Sequence, residues 1–456
     1  MPLRVRLPRI RQVLRCDTHS SIEYRAFSLP LIFDQGALEV IHPYHVMLKP
    51  RGAICDLDCE YCYYLKKEEL YPGSSFRMGD DVLKAFTKQY IESQHTPEIV
   101  FGWQGGEPTL VGLDFYRRAI EHQRSYAKPG VRILNTLQTN GVSLDDAWCT
   151  FFRENGFLIG ISLDGPALLH DAYRVDKGGK ATHGRVMAGL DLLNKHGVEY
   201  NVLTTVHAAN ADHPLEVYRY LRDEVGSTFM QFIPIVEREG ESGATDHSVT
   251  GRGYGDFLVT IFDEWVSRDV GKVFVQMFDV ALSAWAGRGA GLCIFEETCG
   301  QALAMEHTGD LYSCDHFVEP EHLVGNVLRT ELPVLVDGAK QRAFGAAKKD
   351  TLPRYCLDCE VRGVCNGGCP KNRFIKTPEG DDGLNYLCEG YRTFFNHIDP
   401  AMKYMVQALR HRAPPAGIMR VIAEGANAEL IKAYGAGTKA AQSHSRTSPE
   451  NLRKSK

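Results

Sequence analysis

The segment Cys55-Asp-Leu-Asp-Cys59-Glu-Tyr-Cys62 decides how this chain is read. Its three cysteines are spaced C-x3-C-x2-C and follow directly on a short β-rich run at 45–48. Closely spaced thiols in a reducing compartment, where disulfides are rare, bind metal or perform redox chemistry. A [4Fe–4S] cluster is ordinarily held by four thiolates. Three thiolates leave one iron open, and an open iron can chelate a small molecule through its amino and carboxylate groups. The spacing by itself also admits a zinc site completed by a distant fourth ligand.

Outward from this segment, β-rich runs at 99–103, 132–138, 158–163, 200–206 and 229–235 alternate with helical patterns. One helix starts near Asp80, read as its N-cap. Another spans 184–196, with Val186, Leu190 and Leu193 on one face and Gly197 as its stop. Strands alternating with helices imply a parallel sheet with right-handed crossovers, and six such units predict an α/β fold, a partial (β/α)6 TIM-like barrel. The C-terminal ends of its strands then line the active site. Those ends carry Gly105-Gly106-Glu107-Pro108, Gln138-Thr139-Asn140-Gly141 and Ser162-Leu163-Asp164-Gly165, with Arg174 shortly after. The glycines permit close approach of a ligand to the backbone. Glu107 is a candidate acceptor for an ammonium group, and Arg174 a planar donor for a carboxylate. Ordinary turns and a solvated charge account for the same residues singly.

Helical stretches near 254–268 and 277–287 lead into a segment rich in Cys, Gly and Asp and poor in long periodic runs. It reads C-x5-C-x14-C through Cys293, Cys299 and Cys314, then C-x2-C-x5-C-x3-C through Cys356, Cys359, Cys365 and Cys369, with Cys388 following. Such a segment needs inorganic cross-links to hold a fold. Eight thiolates supply two four-cysteine sites. Zinc ribbons are the alternative, and the three-cysteine segment upstream favours iron–sulfur. Of the two remaining cysteines, Cys16 stands alone, and Cys149, beside Trp148, Phe151 and Phe152, reads as a buried small hydrophobe.

With Tyr61 directly before its last cysteine, the C-x3-C-x2-C segment resembles the radical S-adenosylmethionine (SAM) superfamily. The later eight cysteines resemble the SPASM extension of its peptide-modifying members. Together, over about residues 45–395, they resemble the anaerobic sulfatase-maturating enzyme family. The resemblance implies three [4Fe–4S] clusters. One is held by Cys55, Cys59 and Cys62, one by Cys293, Cys299, Cys314 and Cys369, and one by Cys356, Cys359, Cys365 and Cys388. It further implies SAM contacts from Tyr61, Gly106, Ser162 and Arg174, an apolar contact within Ile233-Pro234-Ile235-Val236, and Asp315, next to Cys314, as catalytic base. The implied activity is oxidation of Cβ of a Cys or Ser in an unfolded or nascent sulfatase polypeptide to formylglycine. It is initiated by a 5′-deoxyadenosyl radical and driven by an electron donor such as flavodoxin or ferredoxin. Full ligation of both auxiliary clusters assigns them to electron transfer.

The chain has 456 residues, 44% hydrophobic and 24% charged, with a formal net charge of −5. That balance argues against a nucleic-acid binder. No run of about 18 or more apolar residues predicts a membrane span, and a cytoplasmic location is expected. Residues 1–15 are Arg-rich and acid-free, which suits a flexible leader better than a transit peptide. The expected division is a basic extension at 1–40, a radical SAM core at 41–288, an auxiliary-cluster domain at 289–400, and a helical segment with a disordered tail at 401–456. Two rivals remain. One is another peptide-modifying radical enzyme, such as a thioether-forming maturase, against which the shortness of the segment before Cys55 counts. The other is a non-catalytic zinc protein.

Overall fold

The computed structural model describes residues 43–425; the basic extension, Cys16 and the polar tail expected after 435 lie outside them. Strands β1 (His45–Lys49), β2 (Glu98–Trp103), β3 (Arg132–Thr139), β4 (Leu158–Ser162), β5 (Glu199–Val206) and β6 (Phe229–Pro234) pair in parallel in chain order. All six expected strands are present with their ends within one residue. Buried and half-buried positions alternate along β4 and β5. The buried set, including Ile159, Ile161, Val202 and Val206, packs in the main core, as period-two patterning requires. Val186, Leu190 and Leu193 of helix His183–His196 join the same core. That helix ends at Gly197, whose φ of +63° forms the left-handed cap.

Helix Asp80–Ser93 differs slightly from expectation. Gly79 is its N-cap, and Asp80 is instead the first helical residue, paired across to Arg118 and His122 of the next helix. Its carboxylate suits the positive end of the helix without capping it.

The Cys-rich segment is built into the barrel sheet. Phe274–Val275 (β7) extends the sheet beyond β6, while Ala302–Glu306 (β8) pairs in parallel with β1 on the opposite edge. Asp310–Tyr312 (β9) and Leu323–Asn326 (β10) follow antiparallel, giving ten strands in one sheet. The register sets Lys49 beside Glu306, so the ends of β1 and β8 deliver side chains to one place.

A second tie is the helix Cys388–Arg410, which packs on Gly251–Arg268. A Cβ on Gly390 would lie 2.0 Å from the Gly251 carbonyl oxygen, so the two backbones meet directly. The helix begins at Cys388, and the expected boundary at 400 falls inside it. Among the described residues no helix is long and apolar enough to cross a membrane.

Candidate active site

The loop carrying Cys55, Cys59 and Cys62 leaves the C-terminal end of β1 and is seated by backbone contacts on both sides. Gly106 N–H donates to the Gly52 carbonyl and Glu107 N–H to the Ile54 carbonyl, each at 2.8 Å. A Cβ at Gly106 would lie 2.1 Å from the Ile54 oxygen, so only glycine lets the loop approach this closely. On the other side Asp58 N–H donates to the Val175 carbonyl and Glu60 N–H to the Tyr173 carbonyl. The three thiols are free and half-buried. Burial pushes the Cys59 thiol up to about 11, opposed by the Arg174 guanidinium.

Glu107 does not face an ammonium site. It is fully buried and both carboxylate oxygens are occupied: Oε1 accepts from Thr109 N–H and from the Thr109 and Thr139 hydroxyls, and Oε2 accepts from Asn140 N–H. Burial pushes its pKa up to about 7. Its work is to tie the ends of β2 and β3 together. Asn140 passes that tie to the cysteine loop, donating to Asp56 at 2.7 Å.

Tyr61, Arg174 and Asp164 form one buried network. Tyr61 OH donates to Asp164 Oδ2 at 2.5 Å and accepts from Arg174 Nη1 at 2.7 Å. Arg174 Nη1 lies 3.7 Å from the same carboxylate oxygen. Asp164 Oδ1 accepts from Thr205 N–H. Burial opposes ionisation of Asp164, but Arg174 and His207 outweigh it and hold the carboxyl well below its usual range. His207 stacks on Tyr61 with ring centroids 5.6 Å apart. Arg174 Nε is buried without a hydrogen-bond partner, the condition of a group open to a polar ligand, whereas His207 Nε2 lies 3.7 Å from Asp164 Oδ2. Ser162, at the end of β4, accepts from Gln138 Nε2 at 2.9 Å. Of the apolar stretch at the end of β6, Ile233 is 42% exposed and Val236 is buried.

Asp315 lies where the two cysteine regions meet. Its Oδ1 is 2.5 Å from Lys49 Nζ, and its Oδ2 accepts from Tyr63 OH at 2.6 Å. Lys49 ends β1, is 2% exposed, and stands over the Tyr64 ring. Tyr63 follows the last cysteine of the loop, and Asp315 follows Cys314. Burial works against the Asp315 carboxylate, yet Lys49 and His316 prevail and keep its pKa below the ordinary value. Lys49 and Tyr63 were not expected from the sequence. The only available signal was the position of Lys49 at the C-terminal end of a barrel strand.

Of the eight later cysteines, Cys356, Cys359, Cys365 and Cys388 line one pocket. Burial raises the Cys299 and Cys314 thiols, and both lie within the electrostatic reach of Cys293 and Cys369, which gives two candidate sets. Asn385 links the sets, donating to the Cys369 carbonyl while its own carbonyl accepts from Cys388 N–H. Among the described residues no three cysteine thiols lie within 4.8 Å of one another. One tetrahedral zinc ion with bonds of about 2.3 Å needs thiolates about 3.8 Å apart. The cysteine donors and the unpartnered Arg174 Nε fit iron–sulfur and SAM.

Comparison with known proteins agrees with this geometry. The radical SAM superfamily profile matches residues 50–221, and an iron–sulfur cluster-binding domain profile (SPASM) matches 293–360. A serine-type anaerobic sulfatase-maturating enzyme of Bacteroides thetaiotaomicron is 46% identical over 399 residues, covering 84% of this chain and 96% of that protein. A cysteine-type anaerobic sulfatase-maturating enzyme of Clostridium perfringens is 32% identical, covering 79% and 97%. The solved structure of native anSMEcpe with bound AdoMet and Cp18Cys peptide superposes with a TM-score of 0.74 at 30% identity, covering 81% of this chain and all of that one. The chain therefore belongs to the anaerobic sulfatase-maturating enzymes, radical SAM proteins with a SPASM domain.

Proposed function

We propose that this chain oxidises Cβ of a serine or cysteine in a sulfatase polypeptide to formylglycine, with Asp315 as the base. The observation that carries the reading is the placement of Asp315. A buried, ionised carboxylate paired with Lys49 and Tyr63 lies between the loop of the first three cysteines and the ligand set containing Cys314. That is where a reacting side chain can lose a hydrogen atom on one side and a proton on the other.

Three [4Fe–4S] clusters are assigned to Cys55, Cys59 and Cys62; to Cys293, Cys299, Cys314 and Cys369; and to Cys356, Cys359, Cys365 and Cys388. When bound, the first cluster and SAM supply an organic radical that abstracts hydrogen, and the others carry an electron away. The chain's own residues bind and orient. Arg174, whose Nε lacks a partner and whose Nη1 donates to Tyr61, would hold the SAM carboxylate. Tyr61, Gly106 and Ser162 are the other residues that would contact SAM. Asp315 accepts the hydroxyl or thiol proton, Lys49 keeps it charged beforehand, and Tyr63 fixes its second oxygen. Loss of a hydrogen atom, a proton and an electron from the serine CH2–OH leaves the aldehyde; a cysteine passes through a thioaldehyde that hydrolyses to it. Flavodoxin or ferredoxin is the proposed donor, and the cytoplasm the proposed location.

The higher identity to the serine-type relative, 46% against 32%, supports serine as the preferred residue. The test is a competition between Ser-x-Pro-x-Arg and Cys-x-Pro-x-Arg peptides with reduced enzyme and SAM, read by mass. Aldehyde on both, formed faster on the serine peptide, is expected. SAM cleavage with both peptides unchanged would remove the maturase reading.

A further inference from the structure

Two cations, Lys348 buried and Arg373 half-buried, stand among the auxiliary cysteines and take no part in the chemistry above. Lys348 is 1% exposed. It lies on helix Ala339–Asp350, whose positions 341, 345 and 348 share one face. Gln341 Nε2 donates to the carbonyls of Gly300 and Ser313, and the Gly345 carbonyl accepts from Cys299 N–H. Lys348 Nζ donates to the carbonyls of Cys293 at 2.6 Å, Ile294 at 3.0 Å and Glu296. One helix face thus holds the backbone at or beside Cys293, Cys299 and Cys314.

Arg373 continues the arrangement. It donates to the Lys348 carbonyl at 2.6 Å and to the carbonyls of Asn366, Gly367 and Gly368, in the turn between Cys365 and Cys369. The charges that act on it come from both sets, Cys356 and Cys365 on one side and Cys299 and Cys369 on the other. Those acting on Lys348 come from Cys299, Cys293 and Cys369, with Arg373 opposing. Among the described residues neither cation has a carboxylate partner; every hydrogen bond goes to a neutral carbonyl. A buried charge without a counter-charge is costly. The thiolates, with the metal they bind, are the available negative charge.

We propose that Lys348 and Arg373 are built-in counter-charges of the two auxiliary clusters, Lys348 for the set containing Cys293 and Arg373 shared between both sets. This rests on the iron–sulfur assignment made above. Reduction adds one negative charge to a cluster, so a nearby fixed cation favours the reduced form and raises its potential. Both are positioning residues for electron transfer.

The test is an EPR-monitored redox titration of the anaerobically reconstituted full chain without substrate, after iron and sulfide analysis. In Arg373→Gln both auxiliary couples should move down by about tenfold in the reduced-to-oxidised ratio, ~59 mV for a one-electron couple. Arg373→Lys should restore most of the shift. Lys348→Gln should move one auxiliary couple only, and the cluster at Cys55, Cys59 and Cys62 should stay put throughout. Iron-replete Gln variants with unchanged potentials would overturn the proposal. So would failure of both Gln variants to retain iron, which would make the cations structural ties. Absence of sulfide from the unmodified chain would instead overturn the iron–sulfur assignment itself.

Discussion

Asp315 depends on two side chains that no motif marks. Its position beside Cys314 drew attention only through the family resemblance, because a lone carboxylate after a cysteine also reads as a turn. Its charge state was illegible, since Lys49 lies 266 positions earlier in the chain and meets it only once β1 and β8 pair. Replacing Asp315 by Asn keeps the shape and removes the proposed base, so aldehyde formation should fall about 10²–10⁴-fold with iron content unchanged. Full activity in that variant would exclude Asp315 as the base. Lys49→Met leaves the carboxylate buried without its ammonium, a loss of about 3–5 kcal/mol; melting temperature and turnover should both drop. Tyr63→Phe removes one hydrogen bond to a charged acceptor, about 1.5–3 kcal/mol. It should therefore impair turnover less than Lys49→Met in side-by-side assays. Glu107 shows the opposite failure of sequence reading. Its place after a strand suggested a ligand contact, but burial made it a brace whose oxygens are spent on Thr109, Thr139 and Asn140.

Elements were the most legible level of the fold. The six barrel strands were readable because each is a short apolar or alternating run bounded by turns. The strand Ala302–Glu306 was not. It has five residues, four of them buried, so it lacks the alternation that reveals a one-sided strand. It also sits inside a segment whose cysteines dominate its composition. The contact of the Gly105-Gly106 turn with the cysteine loop is where an element sets the chemistry. Gly106→Ala forces the Ile54 carbonyl outward, an overpacking cost of about 1–3 kcal/mol. Reconstituted enzyme carrying this change should lose about four irons per chain, those of the first site, while the auxiliary sets keep theirs. Loss spread evenly over all sites would mean that Gly106 supports the fold and not the loop.

At the scale of the whole molecule, the Cys-rich segment and the barrel share one sheet and one helix pair. The sequence suggested consecutive domains with a boundary at 288/289 and another at 400/401. Long-range pairing of β8 with β1 and the close approach of Gly390 to Gly251 are invisible to local patterns. Gly390→Val should separate those helices and lower the melting temperature of the reconstituted enzyme, with iron lost first from the set that includes Cys388. The joined architecture serves the central claim, that a radical made at the first cysteine loop reaches a side chain held against Asp315. The most direct measurement follows the hydrogen itself. Reduced enzyme is given SAM and a Ser-x-Pro-x-Arg peptide deuterated at the serine Cβ. The account predicts deuterium in 5′-deoxyadenosine, with one aldehyde formed per deoxyadenosine released. Unlabelled deoxyadenosine beside an intact serine peptide would contradict it.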